Sequence, residues 1–372
     1  MRNDYILEIN TDHAQPFKTL FEVLKEPLQD INIEIKRDNT KINDKDNELN
    51  DNDSDEESEY ESEEEEEEKK NSDEESDEES DDESEDESDE ESEDESEGSE
   101  ENKNSGNDEE KKKRGYLRVM AVDPTKTIFI HLKLDSNKFR IFKCKKQKMI
   151  IGVNLPCFHK LIKSMDKDDN LTLFIKKGDE QNLGIKRYNS DKKKETIDHM
   201  QLIDLNKEKY IIPPTKFESV VKMPSNDFHK VCREMGNIAD YVEICCVNNK
   251  LIFKCKGEYA DRSVTYSDDY DECDDSDEDS NDRVRKSVVR IKHSESSEND
   301  LKIVKEVYEL KNITLFNKFT SLCDDLQMFM KNKYPLVIRY TVATLGQILV
   351  CFTPVKLEEH GKFEDEQKHY TK

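Results

Sequence analysis

Hydrophobic and polar residues alternate along most of this chain, and short amphipathic helices interrupt the alternation at regular intervals. YILEI (5–9), INIEI (31–35), YLRVMAV (116–122), TIFIHLKL (127–134), FRIFKC (139–144), LTLFI (171–175), LGIKRY (183–188) and HMQLIDL (199–205) have the period of two expected of half-buried strands. A helix is expected over 14–28. FHKLIK (158–163) places Phe158, Leu161, Ile162 and Met165 at i, i+3, i+4 and i+7, which is one face of a second helix. The same order then repeats. SVVKM (219–223) leads into a helix around FHKVCR (228–233), then YVEICCV, LIFKCKG and SVTYS. VRKSVVRIKH (284–293), VKEVYEL (304–310), a helix near 314–325, PLVIRYTV and GQILVCFTP follow. A strand–helix–strands unit used twice per half gives four helices, and repetition on this scale sets the architecture. The fold class is α+β: two similar domains, each with an antiparallel sheet and two helices.

The punctuation between these elements gives the domain boundaries. Domain 1 runs over 1–205, with an insert at about 39–113. NKEKYIIPPTKF (206–217) is a connector that Pro213–Pro214 holds extended. Domain 2 covers 218–355, with a second acidic loop at about 267–282, and 356–372 is a polar tail.

Charge changes the picture. The chain of 372 residues carries −30, but residues 51–110 alone hold 37 Asp/Glu and 3 Lys. The other 312 residues therefore carry +4. Setting aside 267–282 as well, with 10 acidic residues and no Lys or Arg, leaves +14. The acidic runs have too few apolar residues to build a core, so the folded part is basic. Its cations recur on the helices. Lys160 and Lys163 are three apart in the first FHK helix, and Lys230 and Arg233 match them in the second. Lys18 and Lys25 are seven apart in the opening helix, and Lys311 and Lys318 repeat that interval around the fourth. Cations with no Asn/Gln/Arg-rich recognition helix suit the phosphates of a polyanion rather than its base edges.

Other function classes find little support. No apolar run could span a bilayer and the N-terminus lacks a signal-peptide core, so no membrane association is expected. The nine Cys form no CxxC pair and read as reduced core residues. A Gly-rich phosphate loop, HExxH and a nucleophile elbow are all missing, so neither an enzyme nor a cofactor is expected. His159 and His229 read as surface residues beside the basic positions. An acidic chaperone for histones or other basic proteins would explain 51–110, but not the repeated basic helices.

Four blocks carry a family resemblance: VVKMPSNDFHKVCREMGNIADYVEI (220–244), IIGVNLPCFHKLIKSMDKDDNLTL (150–173), LIDLNKEKYIIPP (202–214) and YPLVIRYTVATLGQILVCFTP (334–354). They resemble the DNA sliding clamps of the proliferating cell nuclear antigen family. The resemblance implies a homotrimer closed head-to-tail around double-stranded DNA, with sheets outside and helices inside. It implies DNA-facing roles for Lys18, Lys25, Lys160, Lys163, Lys230, Arg233 and Lys318. Joints between copies would fall at about 195–202 and 262–267. A pocket for clamp-binding peptides would use Val122, Phe129, Leu205, Tyr210, Ile212, Pro213, Pro335, Cys351 and Pro354. Tyr210 stands where a Leu is usual, and Cys351 where an aromatic is common. The implied partners are a DNA polymerase, a clamp-loader ATPase and other replication and repair proteins, in a nucleus or, on the Lys/Asn/Asp-rich composition, a viral replication compartment. A relative acting as monomer or hetero-oligomer in repair signalling is the other reading within the family.

Overall fold

The computed structural model describes residues 4–39, 114–206, 210–268, 289–293 and 303–355. Both acidic runs, apart from their first residues, and the tail lie outside the described residues. In domain 1 the order is β1 (Tyr5–Thr11), α1 (Ala14–Leu24), β2 (Asp30–Lys36), β3 (Tyr116–Val122), β4 (Ile128–Asp135), β5 (Ile141–Cys144), β6 (Lys148–Asn154), α2 (Leu155–Ile162), β7 (Asp169–Lys176), β8 (Asp179–Asn189) and β9 (Lys194–Gln201). Domain 2 repeats it with β10 (Ser219–Pro224), α3 (Ser225–Gly236), β11 (Tyr241–Val247), β12 (Lys250–Lys256), β13 (Asp261–Ser267), β14 (Arg290–His293), β15 (Ile303–Glu309), α4 (Leu310–Thr314), β16 (Asp325–Met330), β17 (Leu336–Val342) and β18 (Gly346–Phe352). These elements belong to one body. Ile212–Pro214 groups outside it, in a second unit.

The strands form three sheets. One has five strands, in the order β5-β1-β7-β8-β9, and one has four, β13-β12-β11-β15. The third has nine, β14-β10-β16-β17-β18-β4-β3-β2-β6, and is continuous across both domains because β18 pairs antiparallel with β4 from Gly346↔Leu134 to Phe352↔Ile128.

The helices cover one face of these sheets because their apolar stripes have nowhere else to go. Asn154 caps α2 by accepting from Cys157 N–H at 2.9 Å, and Pro156 sits in the first turn, where its missing N–H costs nothing. Phe158 then meets Phe21 and Phe17 of α1 edge-on, at 4.9 and 6.4 Å between ring centroids. In domain 2, Phe228 meets Phe253 of β12 at 6.1 Å. Burial of such rings contributes on the order of 2–3 kcal/mol each.

Three sequence expectations need correction. The helix expected near 314–325 is two short pieces, α4 and a 3-10 turn at Asn317–Ser321, so Lys311 and Lys318 lie on different elements and their interval of seven is not a helical period. The strand expected over 199–205 is β9, shifted toward the N-terminus to Lys194–Gln201; beyond it only Ile203 makes a bridge, to Gly152. His159 and His229 are buried, not at the surface. Each follows the Phe of its FHK triplet, on the flank of the apolar stripe that the neighbouring elements cover.

His229 Nε2 lies 3.2 Å from the Tyr340 hydroxyl, and the two rings stack at 5.8 Å. Burial, with a smaller contribution from nearby Arg233, pulls its pKa down to about 4, against a partial rise from Asn317. The folded state therefore resists a proton that the unfolded state accepts below about pH 6.5. Stability should fall as pH drops from about 6.5 to about 4, by roughly 3 kcal/mol from this residue. Thermal unfolding at pH 7 and pH 4.5 should show a smaller acid loss for His229→Asn than for the parent chain; an equal loss would contradict the assignment.

Gly152 fixes where the connector leaves. Ile203 N–H donates to Gly152 O at 3.0 Å, and a Cβ on Gly152 would stand 2.1 Å from Ile203 O. Gly152→Ala should push the chain after β9 off the β6 edge and destabilise by about 1–3 kcal/mol, read as a lowered Tm. An unchanged Tm would show that the bridge yields freely.

Candidate nucleic-acid interface and peptide pocket

The helices form a contiguous row: α1 packs against α2 and against the 3-10 turn, and α3 packs against α4 and the same turn. Lys160 and Lys163, at the end of α2, and Lys230 and Arg233, on α3, are exposed on the side of their helices away from the buried Phe158 and Phe228. None of these four pairs with an acidic side chain among the described residues. The other three anticipated cations are engaged. Lys18 Nζ donates to Met165 O at 3.0 Å, tying α1 to the chain after α2. Lys25, just past α1, pairs with Glu26. Lys318 Nζ reaches Glu22 Oε1 at 2.6 Å, which joins the 3-10 turn of domain 2 to α1 of domain 1. The hydrogen bond from Lys318 holds the Glu22 carboxyl below its usual range, against an opposing push from burial.

Arg233 also lines a cleft of about 310 Å3 between α3 and α4, shared with Lys311, Asn237, Asp240 and Asn317. Proximity of Arg233 to Lys311 could not be read from the chain, because they lie on different helices. Three of the four exposed cations are lysines, which act as point charges, and Arg233 adds one forked donor.

On the opposite face of the nine-stranded sheet, register builds a strip of apolar side chains. Val122 is directly opposite Phe129, Phe129 opposite Cys351, and Cys351 opposite Val337. Side chains on directly opposed residues stand about 4.5–5.5 Å apart at their bases, so four strands present one continuous row. Tyr210 closes over it, its ring 5.7 Å from Phe129. Burial pushes the Cys351 thiol up to about 12, so it serves here as a small apolar group rather than as a nucleophile.

Pro335 and Pro354 flank the ends of β17 and β18, where Leu336 is paired with Phe352. Leu205 is half-buried just beyond the Ile203–Gly152 bridge. Ile212 and Pro213 are exposed and belong to the second unit. Val337 was not anticipated. The alternation in PLVIRYTV puts it on the face opposite Ile338, but its pairing with Cys351 is a long-range fact.

The β3–β4 turn beside this strip is tied together by one carboxylate. Asp123 accepts from the N–H groups of Ile128, Thr127 and Thr125 at 2.6, 2.7 and 3.0 Å, and from the Thr125 hydroxyl. Burial alone would raise this carboxyl, but the hydrogen bonds outweigh it and hold the pKa below the usual range. The turn also meets the end of β18, where Thr353 N–H donates to Thr127 O at 3.0 Å.

Comparison with known proteins agrees with this architecture. Residues 109–209 match the N-terminal domain of proliferating cell nuclear antigen, and residues 211–356 match its C-terminal domain. β1, α1 and β2 precede the first matched span, yet they complete the same sheets. A "Probable DNA polymerase sliding clamp" of Acanthamoeba polyphaga mimivirus is 26% identical over 256 residues, 68% of this chain and 50% of that protein. The chain thus spans about half the length of that relative. A "Probable DNA polymerase sliding clamp 1" of Paramecium bursaria Chlorella virus 1 is 26% identical over 243 residues, 64% of this chain and 84% of the relative. With both domains matched in chain order, the chain belongs to the proliferating cell nuclear antigen family.

Proposed function

We propose that this protein is a DNA sliding clamp: three copies close head-to-tail around duplex DNA and tether a polymerase to its template. One observation carries the reading. Among the described residues, the five-stranded sheet ends in β9 and the four-stranded sheet in β13, each paired on one side alone. Joining them edge to edge makes nine strands, the count the chain already builds internally where β18 meets β4. Each copy thus carries one completed joint and the two halves of another. A heterologous contact of this kind closes into a ring when its rotation allows.

The helix-borne cations Lys160, Lys163, Lys230 and Arg233 would face the DNA, with Lys18, Lys25 and Lys318 beside them. Holding DNA by topology lets each phosphate contact stay weak, so the ring can slide. The row Val122–Phe129–Cys351, with Leu205, Tyr210, Ile212, Pro213, Pro335 and Pro354, would take apolar and aromatic plugs from partner peptides. A tethered polymerase then meets its primer end at a high effective concentration, and the chemistry is the polymerase's own. A clamp-loader ATPase would open the ring onto closed DNA, in a nucleus or a viral replication compartment. The domain limits 1–205 and 218–355, with 206–217 as connector, follow the two repeats. An acidic chaperone accounts only for 51–110 and leaves the repeated basic helices without a purpose.

Light scattering after size exclusion, over a dilution series, tests the assembly. A species of three chain masses that dissociates only on strong dilution is expected. A single chain mass at every concentration would overturn the homotrimer.

A further inference from the structure

The apolar row beneath Tyr210 continues into domain 2. Val337 is opposite Phe329 of β16, Phe329 opposite Val220 of β10, and Val220 opposite Lys292 of β14. Phe217 covers this part of the row, its ring 5.4 Å from Phe329 and 5.8 Å from Tyr334. Two residues along each strand lies a second row on the same face. Met120 is opposite His131, His131 opposite Leu349, Leu349 opposite Arg339, Arg339 opposite Gln327, Gln327 opposite Lys222, and Lys222 opposite Arg290. Its character changes where domain 1 meets domain 2. Met120, His131 and Leu349 widen the pocket floor, and Arg339, Lys222 and Arg290 then follow with only Gln327 between them.

Charge on an edge strand such as β14 guards against stray pairing. Arg339 and Lys222 lie on interior strands, where no such guard is needed. Nor are these cations used up within the chain. Arg339 lies over the Phe329 ring, 5.4 Å from its centroid, and gives an N–H to Gln327; a guanidinium has further donors to offer. Lys222 meets Asp325 at 2.8 Å, but both side chains are nearly half exposed, so the pair is weak. Arg290 is exposed and pairs with no acid among the described residues. Asp268, beside β14, is taken up by the Ile291 N–H at 2.8 Å. In the sequence, 283–293 holds five Lys or Arg and no Asp or Glu.

Resting on the pocket reading, we infer that Arg339, Lys222 and Arg290 seat an acidic segment that adjoins the apolar plugs of a partner peptide. Leu349 on β18 and Arg290 on β14 are four strand spacings apart, about 19 Å, which an extended chain covers in about six residues. Carboxylates should therefore fall within about six residues of the plugs, placed to meet β17, β10 and β14. Arg339 is nearest the plugs, and its fork takes a carboxylate while the Phe329 ring fixes its plane. Lys222 can exchange Asp325 for a peptide carboxylate at little cost. Duplex DNA could offer phosphates to the same cations, but no plug for the apolar floor that leads into them, so the continuity of the two rows favours a peptide.

Fluorescence anisotropy of peptides on the full-length chain reads this preference. Synthetic peptides share one set of apolar and aromatic plugs and differ in a flank of about six residues, before or after the plugs, that carries Glu, or Gln in its place. With the flank on one of the two sides, the Glu peptide should bind about 10-fold more tightly than the Gln peptide at about 50 mM salt, the size of a few exposed ion pairs, and most of that difference should vanish at about 500 mM. Lys222→Gln with Arg290→Gln should erase most of the preference without weakening the Gln peptide. Equal binding of the Glu and Gln peptides to the parent chain, with the flank on either side, would overturn the acidic seat while the pocket stands. So would a preference that survives the double substitution. If the double substitution weakens duplex binding and leaves the peptide preference intact, the face meets nucleic acid and the acidic seat is wrong. If no peptide binds at all, the pocket and the acidic seat fall together.

Discussion

Reversing Lys160, Lys163, Lys230 and Arg233 to Glu should abolish retention of DNA while leaving the assembly intact. These four cations are exposed on α2 and α3 and pair with no acid among the described residues, so their removal breaks no internal bridge. Each lost phosphate contact should flatten the dependence of log K on log salt by about 0.9. Four reversals in every copy should weaken low-salt binding at least about 100-fold. Lys318→Glu should behave differently. It breaks the bridge to Glu22 that joins the domains, so its effect should include a lowered Tm, whereas the four-residue variant should melt near the parent. Fluorescence anisotropy with labelled duplex, between about 25 and 200 mM salt, measures the first effect. An unchanged slope would remove these residues from the DNA-facing role.

The second large effect concerns the opposite face. Phe129 is central to the apolar row, opposed by both Val122 and Cys351 and covered by Tyr210. Phe129→Ala should leave a gap at the middle of the pocket floor and remove the ring that Tyr210 packs against. A synthetic peptide with apolar and aromatic plugs should bind about 10–100-fold more weakly, the size of a truncated hot spot. Duplex binding should not change. Loss of DNA retention with intact peptide binding would mean that the two faces have been assigned the wrong way round.

Much of this was legible in the chain because period and repetition are local signals. The alternating strands, the FHK helices and the doubling of the unit are all written at short range, and so are Lys160, Lys163, Lys230 and Arg233. Where two sheets or two domains meet, the sequence was silent. Lys18 turns back onto Met165 and Lys318 onto Glu22, contacts 147 and 296 residues apart that no helical spacing announces. His159 and His229 were misplaced for a related reason: a polar ring next to lysines looks exposed until the neighbouring elements cover it. The fourth helix was misjudged because α4 has only five residues and its continuation tightens into a 3-10 turn. Phe129 and Cys351 could be named through the family resemblance, but the row that includes Val337 exists only once β4, β18 and β17 are in register.

Whether this protein encircles DNA is decided by threading. A linear duplex biotinylated at both ends is incubated with the protein, its ends are then blocked with streptavidin, and the complex is washed in high salt. A ring should be retained when blocking follows incubation, not retained when blocking precedes it, and released when a restriction enzyme cuts the duplex. Retention that ignores the state of the ends would contradict it, since that is ordinary surface binding rather than a ring around DNA.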